Sequence, residues 1–248
     1  MADANIIVNA NIITMVPGDR KYTAAVIENG RIAFTGTESK IKPFLDRGWP
    51  KKDFKGRTIL PGFIDTHEHM MLTGSQSAAV NLDKVADMDE ILSLMSDRAK
   101  KTGKGEWVYG SYLNEQQIIE KAMPTRQDLD RAVPDHPVFI MHATCHMCSL
   151  NTKALGLLNP PFDLQGLDLA DNEPTGVVRD PGILTFIHPS MADIVPEQAK
   201  MQYLLDAADM ALKKGITTVH TLDGGDLGPG DSRIIQKYQH RLPIHVVC

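Results

Sequence analysis

The chain has no run of five or more lysines or arginines, and over its 248 residues acidic side chains outnumber basic ones, giving a formal net charge of −5. Such a chain has no general attraction to phosphate backbones, which argues against nucleic acid as a partner. Cysteine is scarce: only Cys145, Cys148 and Cys248 occur. The Met-Ala-Asp-Ala-Asn start lacks the basic beginning and apolar core of an export signal. An odd number of cysteines in such a chain does not make a disulfide framework, so the thiols are expected to be reduced and the location cytoplasmic. No apolar run approaches the roughly 20 residues that a membrane-spanning helix needs, so no membrane partner is expected. What remains is an ordinary globular composition, 42% hydrophobic and 23% charged, long enough for one large domain or two modest ones.

Against that background one stretch carries chemistry: Ile59-Leu60-Pro61-Gly62-Phe63-Ile64-Asp65-Thr66-His67-Glu68-His69. Pro61-Gly62 marks a bend, and the apolar Phe63 and Ile64 suit a strand buried on both faces. In an extended chain residues i and i+2 point to the same side, so His67 and His69 can ligate one cation at roughly 2.0–2.1 Å, as zinc prefers. Asp65 lies on that side too. A bare His-x-His pair is a weak motif; its strand context makes it stronger. The competing reading is a pair of core histidines bonded to backbone carbonyls. Glu68 points to the opposite side and reads as a structural or salt-bridging residue rather than a catalyst.

Around this strand the chain divides. Residues 1–58 carry short β-type runs at Asn5–Val8, Ile12–Val16, Ala24–Glu28 and Arg31–Thr35, the last two joined by Asn29-Gly30, a hairpin signal. They predict a small N-terminal β-sandwich segment. Past His69 the pattern is mixed: Asp87 with Glu90 predicts a capped helix, Glu106–Gly110 and Val138–Ala143 predict strands, and Thr125 and Asn151 sit at helix starts. From Pro196 the rhythm becomes βαβ: a helix through Lys213-Lys214 ending at Gly215, a strand Ile216–Thr221, a helix over 232–240 and a strand Pro243–Val247. The strands at Ile59, Ile216 and Pro243 begin a parallel sheet, and an eight-stranded barrel needs about five more. Ending near a strand also leaves an apolar edge, so the chain is expected to be incomplete.

With those marks in place the chain resembles the amidohydrolase superfamily, especially the branch with a long insertion after the first barrel strand that includes N-substituted formamide deformylases. The resemblance rests on Asn5-Ile6-Ile7-Val8, Glu28-Asn29-Gly30-Arg31-Ile32, Gly56-Arg57 and Leu60 to His69 in succession. It continues through Glu106-Trp107-Val108-Tyr109-Gly110, Pro124-Thr125-Arg126, His146 with Asn151, Pro174-Thr175-Gly176-Val177 and Gly215-Ile216-Thr217-Thr218-Val219. Ala143-Thr144-Cys145 and Asp180 depart from the residues common in that branch. The resemblance implies an α/β fold. Residues 1–58 form the β-sandwich segment, and residues 59–248 form the first part of a (β/α)8 TIM barrel, incomplete here, with an α+β insertion over about 70–195. It implies one or two divalent metals, zinc first, with His67 and His69 as the first ligand pair. The other ligands, and the aspartate that serves as catalytic general base, are expected beyond Cys248. His146 is placed near the substrate.

The chemistry such a centre implies is hydrolysis of a C–N bond in a small amide or formamide. The cation lowers the pKa of bound water from about 15.7 to about 7, supplying hydroxide to attack a polarised carbonyl. The alternatives are a deaminase of the same fold, or a non-catalytic fragment or subunit that needs a complementary chain; a homo-oligomer is also open. His142, Cys145, His146 and Cys148 form a tight His-x-x-Cys-His-x-Cys cluster, readable as a metal knuckle, as a redox pair or as a buried turn with soft side chains. His146 could instead only pack. His220, at a strand end, reads as packing or outer-sphere, His245 could face inward, and His136, His188 and His240 read as solvated.

Overall fold

The computed structural model describes residues 4–18, 21–223 and 231–248. The chain is mixed α/β and splits into two compact units, Met1–Phe63 and Ile64–Cys248. In the first unit, β1 (Ala4–Val8), β2 (Asn11–Ile12), β3 (Ala24–Glu28), β4 (Arg31–Gly36), α1 (Lys42–Leu45), β5 (Lys51–Asp53) and β6 (Thr58–Ile59) follow in order. Four strands form a sheet in the order β4-β3-β1-β5, and β2 pairs with β6. Ile6, Ala24, Val26 and Ile41 close a small core. The β3–β4 hairpin turns where expected: Asn29 and Gly30 have φ of 51° and 72°, the left-handed pair that matches the twist of a two-residue hairpin. The expected strand Ile12–Val16 is shorter. Only Asn11–Ile12 pairs, because β6 offers two partners, and Ile13, Met15 and Val16 are exposed.

β7 (Phe63–Glu68) starts at the last residue of the first unit, and the second unit continues with α2 (Met70–Ala78), β8 (Val80–Asn81), α3 (Met88–Ala99), β9 (Val108–Leu113) and α4 (Arg126–Ala132). There follow β10 (Val138–His142), β11 (Met147–Leu150), α5 (Thr152–Leu158), β12 (Leu167–Ala170), β13 (Glu173–Arg179) and α6 (His188–Ile194). It ends with α7 (Glu197–Lys213), β14 (Ile216–Thr221), α8 (Asp231–Tyr238) and β15 (His245–Val247). A six-stranded sheet runs β12-β13-β11-β10-β9-β8. Every residue of β10 is buried, as a central strand covered on both faces must be. Ile91, Met95 and Leu129 from α3 and α4 pack into one core, and Leu158, Ile183 and Met191 into the other. Caps hold the helices where the sequence announces them: Asp87 accepts from the Glu90 amide, and Thr125 and Asp128 form a reciprocal capping box. Asn151 is fully buried; its Oδ1 accepts from the amides of Val138 and Ala154, and its Nδ2 donates to the carbonyls of Val133 and His136.

A separate three-stranded sheet, in the order β15-β14-β7, carries the histidine pair. β14 and β15 are parallel. Met70 and Met71 of α2, Leu204, Ala207 and Ala208 of α7, and Ile235 of α8 cover it together with Val219, Ile244 and Val246. α2 approaches α7 so closely that a Cβ at Gly74 would stand 1.9 Å from the Tyr203 carbonyl oxygen.

Three expectations are corrected here. β7 is not buried on both faces: it is an edge of its sheet, and Phe63 and Ile64 are 54% and 60% exposed. His136 and His188 are not solvated but buried, the former with Nδ1 3.0 Å from the Glu106 carbonyl. His245 faces outward between the buried Ile244 and Val246.

Candidate functional site

β7 delivers His67, and the next residue but one, His69, stands at the N-terminal end of α2. The alternation of an extended strand keeps the two rings neighbours: their centroids are 5.7 Å apart and their planes are 79° to each other. His67 is exposed and its backbone amide donates to Asp65 Oδ1 at 3.1 Å, so that carboxylate supports the strand. His69 is half-buried, and its Nδ1 is buried without a hydrogen-bond partner. An orphaned buried imidazole nitrogen beside a second imidazole fits the donor set of a cation that prefers nitrogen ligands. Among the described residues no group of three or more His, Cys, Asp or Glu side chains is arranged to hold a metal. Glu68 faces away and accepts the Thr73 hydroxyl at 2.5 Å, tying β7 to α2.

Sequence reasoning missed Asp223. The Leu222 amide donates to the Glu68 carbonyl at 2.7 Å, which brings the residues after β14 alongside the end of β7. Asp223, 4% exposed, then accepts the Met71 amide at 3.0 Å and the Thr221 hydroxyl at 2.7 Å through Oδ2. His69 makes no side-chain cap of its own, so this carboxylate caps α2 from outside, at the positive end of the helix. Its Oδ1 is buried and unpartnered. Replacing Asp223 by Ala is expected to cost about 2 kcal/mol by stranding a buried amide, and Asn, which keeps an acceptor, should cost less. Thermal denaturation of both variants checks this; an Ala variant as stable as the parent would refute the capping role.

Tyr112 is a second omission. It lies in β9 beside a register irregularity of the β9–β10 pairing, with φ of 65°, a conformation costly for a bulky residue. Burial, then the neighbouring Cys145 and Glu68, push its hydroxyl pKa up. No residue type in the sequence announces either feature.

The His-x-x-Cys-His-x-Cys cluster does not converge. His142 sits 2.7 Å from Glu115 through Nε2, off the axis of a directed hydrogen bond, and its Nδ1 accepts the Thr144 amide at 3.1 Å. Burial works to raise the Glu115 carboxyl, but bonds from Gln116 and its own backbone, with the adjacent His142 ring, outweigh it and hold the pKa low. Cys148 is wholly buried in β11 and burial pushes its thiol up, the opposite of a reactive thiolate. Cys145, in the turn between β10 and β11, accepts from Gln76 Nε2 of α2 at 3.4 Å. All three cysteines are free.

His146, in the same turn, is exposed and holds Asp180 Oδ2 at 2.6 Å through Nδ1. Asp180 in turn donates its amide to the His146 carbonyl at 3.1 Å. His188 is coupled to both: burial lowers its pKa, while the Cys145 backbone and Asp180 pull upward and His146 pushes down. The Cys145–His146 turn therefore joins α2, through Gln76, to the start of α6.

The model of the amidohydrolase family matches residues 52–247. An N-substituted formamide deformylase of Arthrobacter pascens is 31% identical over 173 residues, covering 69% of this chain and 31% of that protein. The Bacillus subtilis strain 168 protein YtcJ, named as an amidohydrolase, is 28% identical over 228 residues, covering 86% and 41%. A solved metal-dependent hydrolase of Pyrococcus furiosus superposes with a TM-score of 0.79 at 25% identity, covering 98% of this chain and 49% of that one. The chain thus spans from about a third to a half of the length of these relatives. Among the described residues no helix is long and apolar enough to cross a membrane.

Proposed function

The chain belongs to the amidohydrolase family, and from that premise we propose that it carries the first metal ligands and part of the substrate site of a hydrolase that cleaves a C–N bond of a small amide or formamide. The observation that carries the reading is the orphaned Nδ1 of His69 beside the His67 ring, at the end of a strand where barrel hydrolases build their sites. We read the β15-β14-β7 sheet as the opening strands of a (β/α)8 barrel. The parallel pairing of β14 with β15 and the cover of α2, α7 and α8 over this sheet support this. Further strands, with the remaining ligands and the general base, we place in the part of the relatives' length that this chain does not span. The six-stranded α+β region after α2 is then the insertion.

His67 and His69 would hold a divalent cation, zinc first among those that suit paired imidazoles. When bound, it supplies Lewis acidity toward a carbonyl and acidifies water. The chain's own residues do the positioning. Asp223 fixes the start of α2 and with it the backbone of His69, and Glu68 with Thr73 holds the strand against that helix. His146, tied through Nδ1 to Asp180, leaves Nε2 for a hydrogen bond to the substrate.

The test is hydrolysis by the full-length protein of a panel of N-substituted formamides, amides and amino-heterocycles, before and after chelation and zinc return. Release of formate or another carboxylate, lost on chelation and regained with metal, supports the reading. Ammonia from the heterocycles alone would overturn it in favour of a deaminase. Replacing His146 by Ala should lower kcat about tenfold with metal content unchanged; loss of metal instead contradicts its assignment to substrate.

A further inference from the structure

Where β10 ends, a hydroxyl, an imidazole and a carboxylate stand in a row. His142, the last residue of that strand, is only 7% exposed. The Thr144 amide lies 3.1 Å from its Nδ1, and because an amide N–H can only donate, that nitrogen presents its lone pair. The proton of the neutral ring then sits on Nε2, which lies 2.7 Å from Glu115 Oε2. Thr144, exposed, brings its Oγ1 to 2.8 Å from the same Nδ1, with the hydroxyl as donor.

The carboxylate is put there by the chain that follows β9. Asn114 accepts the Gln116 amide through its side chain at 3.0 Å and starts a short 3-10 turn over Glu115–Gln117. Leu113, two residues before Glu115, is the partner of His142 across the register irregularity of the β9–β10 pairing, so the turn arrives beside the ring. Against the pull of burial, the bonds from Gln116 and its own backbone and the His142 ring keep Glu115 ionised, with its charge toward the ring edge that carries the proton. A hydroxyl within hydrogen-bond reach of a base, and a third group that orients the base, is the arrangement that activates a nucleophile, whatever the order of the residues in the chain. Thr144 is open to solvent while its two partners are shielded, so an incoming molecule meets the hydroxyl first.

We propose that Thr144 is a nucleophile for acyl transfer from a small activated ester, with His142 as its general base and Glu115 as the residue that positions that base. The step uses neither His67 nor His69. Thr144 Oγ1 attacks the ester carbonyl carbon and forms a C–O bond, while the hydroxyl proton passes to His142 Nδ1 in place of the bond from the Thr144 amide. The His146 amide, 3.4 Å from Oγ1 and weakly engaged there, is at hand for the negative charge on the carbonyl oxygen. Collapse breaks the bond to the leaving oxygen, which departs as an alcohol or phenol with the proton from Nδ1, and the acyl group stays on Thr144. Water then attacks the acyl carbon, gives a proton to Nδ1 that returns to Thr144 Oγ1, and releases the carboxylic acid.

The experiment treats the full-length protein with p-nitrophenyl acetate in the presence of a chelator, and follows p-nitrophenol release together with peptide mass spectrometry. The expected result is an acetyl group on Thr144, or steady release of p-nitrophenol that Thr144→Val removes and Thr144→Ser keeps. His142→Gln should slow release at least about a hundredfold, as loss of a general base does. Glu115→Gln should slow it at least about tenfold, and Glu115→Asp, which keeps the charge, should recover part of the loss. Thr144 is exposed, so its two variants decide the matter even where the buried His142 variant does not fold. Acetyl groups on Cys145 or lysines alone, or release at the parent rate from Thr144→Val or Glu115→Gln, overturns the inference, whether or not the protein hydrolyses formamides with its metal in place. Acylation of Thr144 under chelation, in a protein that hydrolyses no formamide with metal restored, upholds the inference and sinks the metal-dependent reading instead.

Discussion

Replacing His67 and His69 together by Ala is expected to strip the bound metal from the full-length protein and abolish hydrolysis, while its melting temperature in metal-free buffer stays within a degree or two of the parent. The first half follows from coordination. Outer-sphere partners of a metal site alone are worth about 10–100-fold in affinity, so removing two direct ligands costs more than about a thousandfold. The second half separates a ligand pair from a packed pair. His67 is exposed and His69 Nδ1 makes no hydrogen bond, so truncation removes little buried area and strands no partner. Core histidines bonded to carbonyls would give the reverse pattern, a lowered melting temperature with metal content unchanged. Elemental analysis and thermal melts on the same preparations decide between them.

The pair is legible because a strand's two-residue period fixes which side chains share a face, whatever the rest of the fold does. Local punctuation is legible for the same reason: Asn29-Gly30 turns β3 into β4, Asp87 starts α3, and Gly215, with φ of 80°, ends α7 before β14. What escapes is whatever depends on distant partners. Asp223 reaches Met71 across 152 positions, a separation that leaves no spacing to read. β11 hides inside the Cys and His cluster, because soft and polar residues there are chosen by burial against β10 and β13 rather than by alternation. Phe63 and Ile64 mislead in the other direction, since apolar side chains alone do not say which neighbours are at hand to cover them. α2 escapes altogether: Thr73, Gly74, Ser75 and Ser77 dilute its helix propensity, and tertiary packing supplies what the local sequence lacks.

That packing makes Gly74→Ala the sharpest test of how the site is held. On propensity alone the change should stabilise α2, since Ala is favoured over Gly by about 1 kcal/mol within a helix. The added methyl, however, would meet backbone, with the Tyr203 carbonyl oxygen at 1.9 Å and its carbonyl carbon at 2.5 Å, and backbone cannot rotate aside as a long side chain can. α2 and α7 must then separate along a contact that also buries Met70, Met71 and Leu204. A backbone contact this short belongs at the upper end of the roughly 1–3 kcal/mol that overpacking costs, so after the gain in propensity the net expectation is a loss of about 2 kcal/mol. For a unit of this size that lowers the melting temperature by roughly 4–8 °C. Because α2 begins beside His69, the variant should also bind zinc more weakly at a temperature where it remains folded. A melting temperature raised by the substitution would mean that helix propensity prevails and that α2 does not rest on α7 through this glycine.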